Sequence, residues 1–112
     1  MKNLQKIIPN LKLTSGGMLE FFVLKMLTEK TYSVKETCDR LKMSGYIVPT
    51  GSIYPLLTRF RRRNYVNTGY EEGDSGSGIK TYDLTEKGRQ RLRDLQRDWN
   101  QLNRLIASIG AR

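Results

Sequence analysis

The chain has no histidine and a single cysteine, Cys38, among its 112 residues. Histidine is the commonest general base and the commonest metal ligand, and one thiol can form neither an internal disulfide nor a structural zinc site. We therefore expect no enzyme activity, no metal and no cofactor, with Cys38 a small buried hydrophobe. The chain starts with no charged-then-apolar leader, and its longest apolar run is far below the ~20 residues of a membrane span. These features favour a reducing cytoplasm.

Acidic residues are few relative to basic ones. Twenty lysines and arginines stand against 11 aspartates and glutamates, which gives a net charge of +9 and an isoelectric point near 9.9. Such a balance indicates a polyanionic partner, with nucleic acid favoured over an anionic membrane surface. Four of the cations are clustered at Arg59, Arg61, Arg62 and Arg63.

The cluster ends the stretch 50–63 (TGSIYPLLTRFRRR), which predicts a short amphipathic helix. Ser52 is a candidate N-cap, and Pro55 would be the third helical residue, where no intrahelical amide bond is lost. The apolar side chains recur at helical spacing and predict a buried face, formed by Ile53, Leu56, Leu57 and Phe60. The opposite face is typical of a helix that lies in a DNA groove and carries Tyr54, Thr58, Arg59, Arg61 and Arg62. An ordinary amphipathic helix with solvated arginines is the alternative.

Two helices are predicted ahead of this one. The first, over residues 14–28, is apolar on nearly all sides and should lie in the core. Ser33 and Glu36 form a capping box that starts the second helix, which should end near residue 43. Residues 1–13 are predicted to be an arm whose Lys2, Lys6 and Lys12 touch phosphates, or else a frayed and solvated terminus.

A hairpin is predicted after the arginine cluster. Asn64 tolerates the left-handed conformation that ends a helix, and strand-like segments at 65–70 and 79–84 flank the loop 73–78 (GDSGSG). The loop lacks the strand-to-helix position and the Lys-Ser/Thr ending of a phosphate-binding P-loop. We interpret it as the tip of a wing. Three helices followed by a hairpin is the order of a winged helix-turn-helix domain.

The C-terminal segment predicts a long helix capped by Thr85, with a heptad seam. The seam consists of Leu92, Leu95, Trp99, Leu102, Ile106 and Ile109. We expect nothing within one small domain to cover so long a stripe, so a second copy should pair with it; folding back over the core is the alternative. The predicted fold class is mostly α with a small β hairpin: an arm (1–13), a winged helix-turn-helix domain (14–84) and a C-terminal dimerisation helix (85–112).

Two motifs resemble those of the PadR family of bacterial transcriptional regulators, in its short form of a winged helix plus one dimerisation helix. Residues 51–60 (GSIYPLLTRF) are similar to the family's G-(T/S)-(L/I)-Y-P-x-L-x-R-L segment, and residues 80–88 (KTYDLTEKG) to its K-Y-Y-x-L-T-x-x-G. Residues 17–20 and the tryptophan of the last helix extend the resemblance over about residues 15–105. The wing departs from the family pattern, because Ile79 takes the place of its basic residue and Thr81 that of its first tyrosine.

The resemblance implies a homodimer that represses transcription by placing two recognition helices in successive major grooves of a palindromic operator. The implied DNA contacts on double-stranded DNA are Ser52, Tyr54, Thr58, Arg59, Arg61, Arg62 and Lys80. The wing also carries Glu71, Glu72 and Asp74, so its own contact with DNA is left open.

The resemblance further implies a planar hydrophobic effector between the subunits, stacked on Trp99. Alternatively, Trp99 simply fills the dimer seam. Two other functions share the basic surface: a non-specific architectural nucleic-acid binder, and a winged-helix module that binds proteins instead of DNA.

Overall fold

The computed structural model describes residues 15–49, 51–73 and 78–110. The predicted arm at 1–13, Thr14 and the centre of the loop at 73–78 lie outside them. Four helices and three strands follow one another along the chain: α1 (Ser15–Met26), β1 (Tyr32–Ser33), α2 (Val34–Met43), α3 (Ile53–Arg62), β2 (Val66–Glu72), β3 (Gly78–Leu84) and α4 (Glu86–Ser108). This is the predicted winged helix-turn-helix order with a long C-terminal helix.

The wing has one more strand than the predicted hairpin. The antiparallel sheet has the order β1-β3-β2, and β1 pairs Tyr32 with Tyr82 and Ser33 with Thr81. Only the two strands of the hairpin were predicted from the sequence, and β1 was missed. Both residues of β1 are buried. Their pairing with β3 gives hydrogen-bond partners to backbone groups that water cannot reach.

The core forms where α1, α3 and α4 meet the sheet. Val23, Leu24 and Leu57 are fully buried there, which confirms the predicted central position of the first helix. An ion pair between Arg91 and Glu20, 2.9 Å long, joins α4 to α1. Both side chains are largely buried, so removing one would leave the other charge without its partner in a poorly solvated place.

Local chemistry fixes most of the helix ends. Ser33 and Glu36 form the predicted capping box at the start of α2. Asn64 has a φ of 62° and follows the last turn of α3, where the Tyr65 amide donates to the Phe60 carbonyl at 2.8 Å. This pattern is a Schellman motif, and the Phe60 and Tyr65 rings pack edge to face beneath it.

Ser52 does not cap α3 as expected. Its backbone has helical angles (φ −75°, ψ −30°), and its side chain makes no capping hydrogen bond. A capping hydroxyl needs an extended backbone at the cap residue in order to turn back to the first-turn amides. Gly51, at φ +89°, makes the turn into the helix instead.

The start of α4 is tied to the end of α3. Thr85 accepts from the Gly88 amide at 3.0 Å, as predicted for the cap, and its hydroxyl also donates to the Asn64 carbonyl at 2.5 Å. The Thr85 amide donates to the Tyr65 carbonyl. A Cβ on Gly88 would lie 2.1 Å from that same carbonyl oxygen. This junction of Asn64, Tyr65, Thr85 and Gly88 therefore requires glycine at position 88.

The heptad stripe of α4 is divided between the protomer's own core and solvent. Leu92 and Leu95 belong to the same hydrophobic core cluster as the buried side chains of α1. The chain itself therefore covers this part of the stripe, although the expectation was that no internal element covers the stripe as a whole. Leu102 is also buried, whereas Ile106 and Ile109 are 58% and 79% exposed. None of the helices in the described residues is long and apolar enough to cross a membrane.

Candidate nucleic-acid interface

Helix α3 presents one face to the core and the other to solvent. Ile53, Leu56, Leu57 and Phe60 are each at most 2% exposed, which confirms the predicted apolar stripe and fixes the rotation of the helix. Tyr54, 55% exposed, therefore faces outward together with Arg59, Arg61 and Arg62, while Ser52 and Thr58 are half-buried at the margin.

The arginines of this surface are unlike the cations elsewhere on the protein. Six ion pairs join described residues, and each of them uses a lysine or arginine outside residues 53–63. Helix α3 contains no acidic residue. No carboxylate within residues 15–49, 51–73 and 78–110 therefore forms an ion pair with Arg59, Arg61, Arg62 or Arg63, and their positive charge is available to phosphate groups.

Arg61 has a neighbour that its companions lack. Its Nη1 donates to the hydroxyl of Thr68 on β2 at 2.9 Å. For Arg59, Arg62 and Arg63, the described residues provide no such side-chain partner. Thr68 was not among the predicted site residues, because its distance from α3 depends on the way the hairpin folds back.

The strand register decides which wing residues share a face. Thr68 lies opposite Tyr82, Tyr70 opposite Lys80, and Glu71 opposite Ile79. Because side chains alternate along a strand, Tyr70 and Lys80 share the face of Thr68 and Tyr82, whereas Glu71 is on the other face. Tyr70 is 72% exposed. It was also missed in the sequence analysis, because its place opposite Lys80 follows only from the strand register.

Tyr82 links this wing face to α3. Burial raises the pKa of its phenol, the nearby phenols of Tyr54 and Tyr70 raise it further, and the Arg61 guanidinium opposes them. The Lys80 ammonium lies 5.8 Å from the centre of the Tyr82 ring. We call these five residues, Tyr54, Arg61, Tyr70, Lys80 and Tyr82, the wing–helix cluster. It combines a cationic surface with exposed phenols that can bind phosphate or a base edge.

Trp99 lies within a row of aromatic rings. Its indole stacks on Phe21 of α1, with ring centres 5.8 Å apart and planes 14° from parallel. Phe21 contacts Phe22, and Phe22 contacts the edge of Tyr46 in the turn after α2. One face of the indole is therefore covered by the chain's own α1.

A cavity of about 700 Å³ opens beside this row, between α1, the end of α2 and α4. Its wall includes Phe22 and Tyr46, and its rim includes the ion pair of Glu29 and Arg40. The hydrogen bond from Arg40, followed by that from Tyr32, lowers the pKa of the Glu29 carboxyl. No group of three or more potential ligand residues able to hold a metal ion occurs within the ranges that the structure describes.

The chain is similar to known transcriptional regulators. The family model described as the transcriptional regulator PadR-like family matches residues 23–94. A PadR-like transcription factor from Bacteroides fragilis is 32% identical, with a TM-score of 0.76, over 85% of this chain and 92% of that one. A transcriptional regulator from Streptococcus is 25% identical, with a TM-score of 0.78, over 89% and 98%. A PadR-like regulator from Bacillus cereus, 24% identical over 86% of this chain and 95% of that one with a TM-score of 0.74, shares the fold. The matched residues contain both α3 and the wing, and the chain belongs to the PadR-like family of transcriptional regulators.

Proposed function

We propose that the protein is a homodimeric repressor that binds a palindromic operator through α3. The observation that carries this proposal is the outward face of α3, which carries the exposed Tyr54, Arg59, Arg61 and Arg62 and no acidic residue. None of these arginines forms an ion pair with a carboxylate of the described residues. A solvated surface helix would be expected to share the ion-paired pattern found on α2 and α4.

The contacts are assigned by position. Arg59 and Arg62 contact phosphates or read a guanine through a bidentate pair. Tyr54 bonds a phosphate or a base edge, and the half-buried Ser52 and Thr58 position the start and middle of the helix on the backbone. Lys80 contacts phosphate from the wing face that it shares with Tyr70; Glu71 lies on the other face, whereas Glu72 lies at the far end of the same face. Arg61 has a separate role, developed in the next subsection.

The second copy pairs along the distal part of α4. Leu105, Ile106 and Ile109 are exposed there on the described surface, and they continue the stripe of Leu102 beyond the part that α1 covers. Dimerisation would bury this apolar area and remove it from water. Two recognition helices related by a twofold axis then meet successive major grooves, about 34 Å apart.

A planar hydrophobic effector would relieve repression by stacking on Trp99. Phe21 covers one face of the indole, so the effector would use the other face or replace Phe21. Its binding would derepress if it favoured a dimer geometry with the wrong spacing between the recognition helices. We place the protein in the cytoplasm, with no catalytic role and no cofactor or metal.

The first test is binding of the purified protein to a labelled duplex from its own upstream region, against a random duplex, at near-physiological salt. A repressor should prefer the upstream duplex by on the order of a thousandfold and protect an inverted repeat from cleavage. Equal binding to both duplexes would favour an architectural binder. No binding by a folded dimer would favour the protein-binding module.

A matched pair of variants tests the assignment of α3. Arg59→Ala should weaken operator binding by roughly tenfold or more, since a contact to a base or phosphate is lost. Arg93→Ala removes the same charge from an exposed arginine that pairs with Glu86 on α4, and it should bind nearly as the parent does. Equal losses from both variants would mean that net charge, and not α3, determines binding.

The dimer is tested by Ile106→Asp with Ile109→Asp, measured by light scattering after size exclusion. The expected result is a monomer with weakened operator binding, because charges would replace the exposed apolar side chains. Arg104→Glu changes the net charge by the same amount on the opposite side of α4, at an exposed position, and should remain a dimer. A dimer in the isoleucine variant would place the interface elsewhere.

A further inference from the structure

Arg61 occupies a different position in the molecule from the arginines around it. It lies in the last turn of α3, and its guanidinium reaches across to the hydroxyl of Thr68, 2.9 Å away on the first wing strand. Within the described residues, this is the one side-chain hydrogen bond between α3 and the hairpin.

Both ends of this hydrogen bond are held by other contacts. The turn between them is closed by the Schellman motif at Asn64 and by the backbone bond from Tyr65 to Phe60. Thr68 is paired with Tyr82, which is nearly fully buried. A hydrogen bond between two such anchored groups fixes their relative orientation, and it costs less side-chain entropy than one made by a free arginine.

The residues just beyond Thr68 depend on that orientation. Tyr70 follows Thr68 by two positions on the same face and lies opposite Lys80. Tyr70 is exposed on the described surface, and Lys80 is the cation of β3. A small rotation of the strand about Thr68 would move both side chains relative to Tyr54 and Arg59 on α3.

We propose that Arg61 is a positioning residue, which holds the wing against α3 so that Tyr70 and Lys80 contact the same DNA backbone that α3 approaches. The acceptor is a neutral hydroxyl, so the guanidinium keeps its positive charge and four of its five donors. Arg61 thus contributes positive charge to the surface while it keeps its hydrogen bond to Thr68. This inference rests on the proposed DNA binding and assigns Tyr70 to the interface as well.

The test uses Thr68→Val, which removes the acceptor and keeps a β-branched residue in the strand, together with Arg61→Met and the double variant. Binding to the upstream duplex is measured over a range of salt concentrations. We expect Thr68→Val and Arg61→Met each to weaken binding about fivefold, because the wing contacts are loosened by about the free energy of one ordinary hydrogen bond, and the double variant to be no weaker than Arg61→Met. The salt slope should also fall in Thr68→Val, by at most about one, because a displaced wing weakens the phosphate contact of Lys80.

Lys80→Met provides the second arm. In the parent protein it should lower the salt slope by about one, as for the loss of one phosphate contact. In the Arg61→Met background the same change should have a much smaller effect. Parent-like binding by Thr68→Val, with a salt slope lowered by about one in Arg61→Met, would overturn the proposal and make Arg61 a direct phosphate contact.

A measurement without DNA separates this inference from the proposed function. Nitrogen-15 relaxation of the free protein should show larger fast motions of β2 and β3 in Thr68→Val and Arg61→Met than in Lys80→Met. Unchanged wing motions in all three variants would overturn the positioning role. If the parent shows no preference for its upstream duplex, the proposed function fails, and the relaxation result still decides whether Arg61 holds the wing.

Discussion

Replacement of Gly88 by alanine should destabilise the protein although it places a better helix former in α4. The added Cβ would lie 2.1 Å from the Tyr65 carbonyl oxygen and 3.0 Å from Cδ2 of Leu84. The carbonyl belongs to the backbone and accepts the Thr85 amide at 3.0 Å. The new methyl group therefore cannot be accommodated by a side-chain rotation, and α4 must move away from the end of α3.

The expected magnitude combines three contributions. Overpacking of this kind costs about 1–3 kcal/mol, and weakening the Thr85 hydrogen bond adds about 1 kcal/mol. Alanine recovers at most about 1 kcal/mol of helix propensity. We expect a net loss near 2 kcal/mol in the free energy of unfolding, or a fall of about 8 °C in melting temperature for a domain of this size.

The assay is thermal unfolding followed by circular dichroism at one fixed protein concentration, because dimerisation would make the midpoint depend on concentration. Gly69→Ala is the control: its Cβ would meet the Thr81 hydroxyl oxygen at 3.4 Å, an ordinary contact, and the midpoint should move little. If Gly88→Ala melts at or above the parent temperature, the close approach of α4 to the Tyr65 carbonyl does not constrain the junction.

Two further predictions concern titratable groups. The pKa of Glu36 is lowered by the Ser33 amide and then by Lys30, so the carboxylate stabilises the fold above its ordinary pKa of 4.5 and this contribution is lost as pH falls below that value. Glu36→Gln keeps a capping acceptor, and its urea midpoint should fall less between pH 6 and pH 3 than the parent's; an identical fall would refute this assignment. Burial raises the pKa of the Cys38 thiol, which lowers its thiolate fraction at pH 8. Iodoacetamide should therefore react more slowly with Cys38 than with the thiol of free glutathione. Equal rates in the native and urea-unfolded protein would show that Cys38 is not protected.

The features that the sequence predicted correctly depend on neighbouring residues. The capping box of Ser33, the left-handed Asn64 and the Thr85 cap each act within four residues. The failure of Ser52 as a cap is also local. A serine before a helix caps it only when its own backbone is extended. Here Gly51 makes the turn into the helix, and the backbone of Ser52 is already helical.

The features that were missed depend on contacts between distant parts of the chain. Strand β1 has two residues and forms only because β3, about fifty positions later, pairs with it. The heptad pattern of α4 could not distinguish a partner helix from α1, and α1 covers Leu92 and Leu95. The assignment of the heptad seam to a dimer interface stays a prediction for all six of its residues: Leu92, Leu95, Trp99, Leu102, Ile106 and Ile109.

The candidate site shows the same division. The apolar stripe of α3 determined which way its arginines face, and the structure confirms that stripe. The parts that belong to the wing, Thr68 and Tyr70, were not found, because strand register places them beside α3 and the sequence alone leaves the register unspecified.

The stacking of Trp99 on Phe21 also provides an optical signal. The chain contains one tryptophan and six tyrosines, so fluorescence excited at the red edge of the absorption band comes from a single indole. That indole reports the docking of α4 on α1, because its neighbour in the stack belongs to α1. A compound that separated the two rings and one that covered the opposite face would shift the emission differently. Ligand screening and unfolding can therefore both be followed in the unlabelled protein.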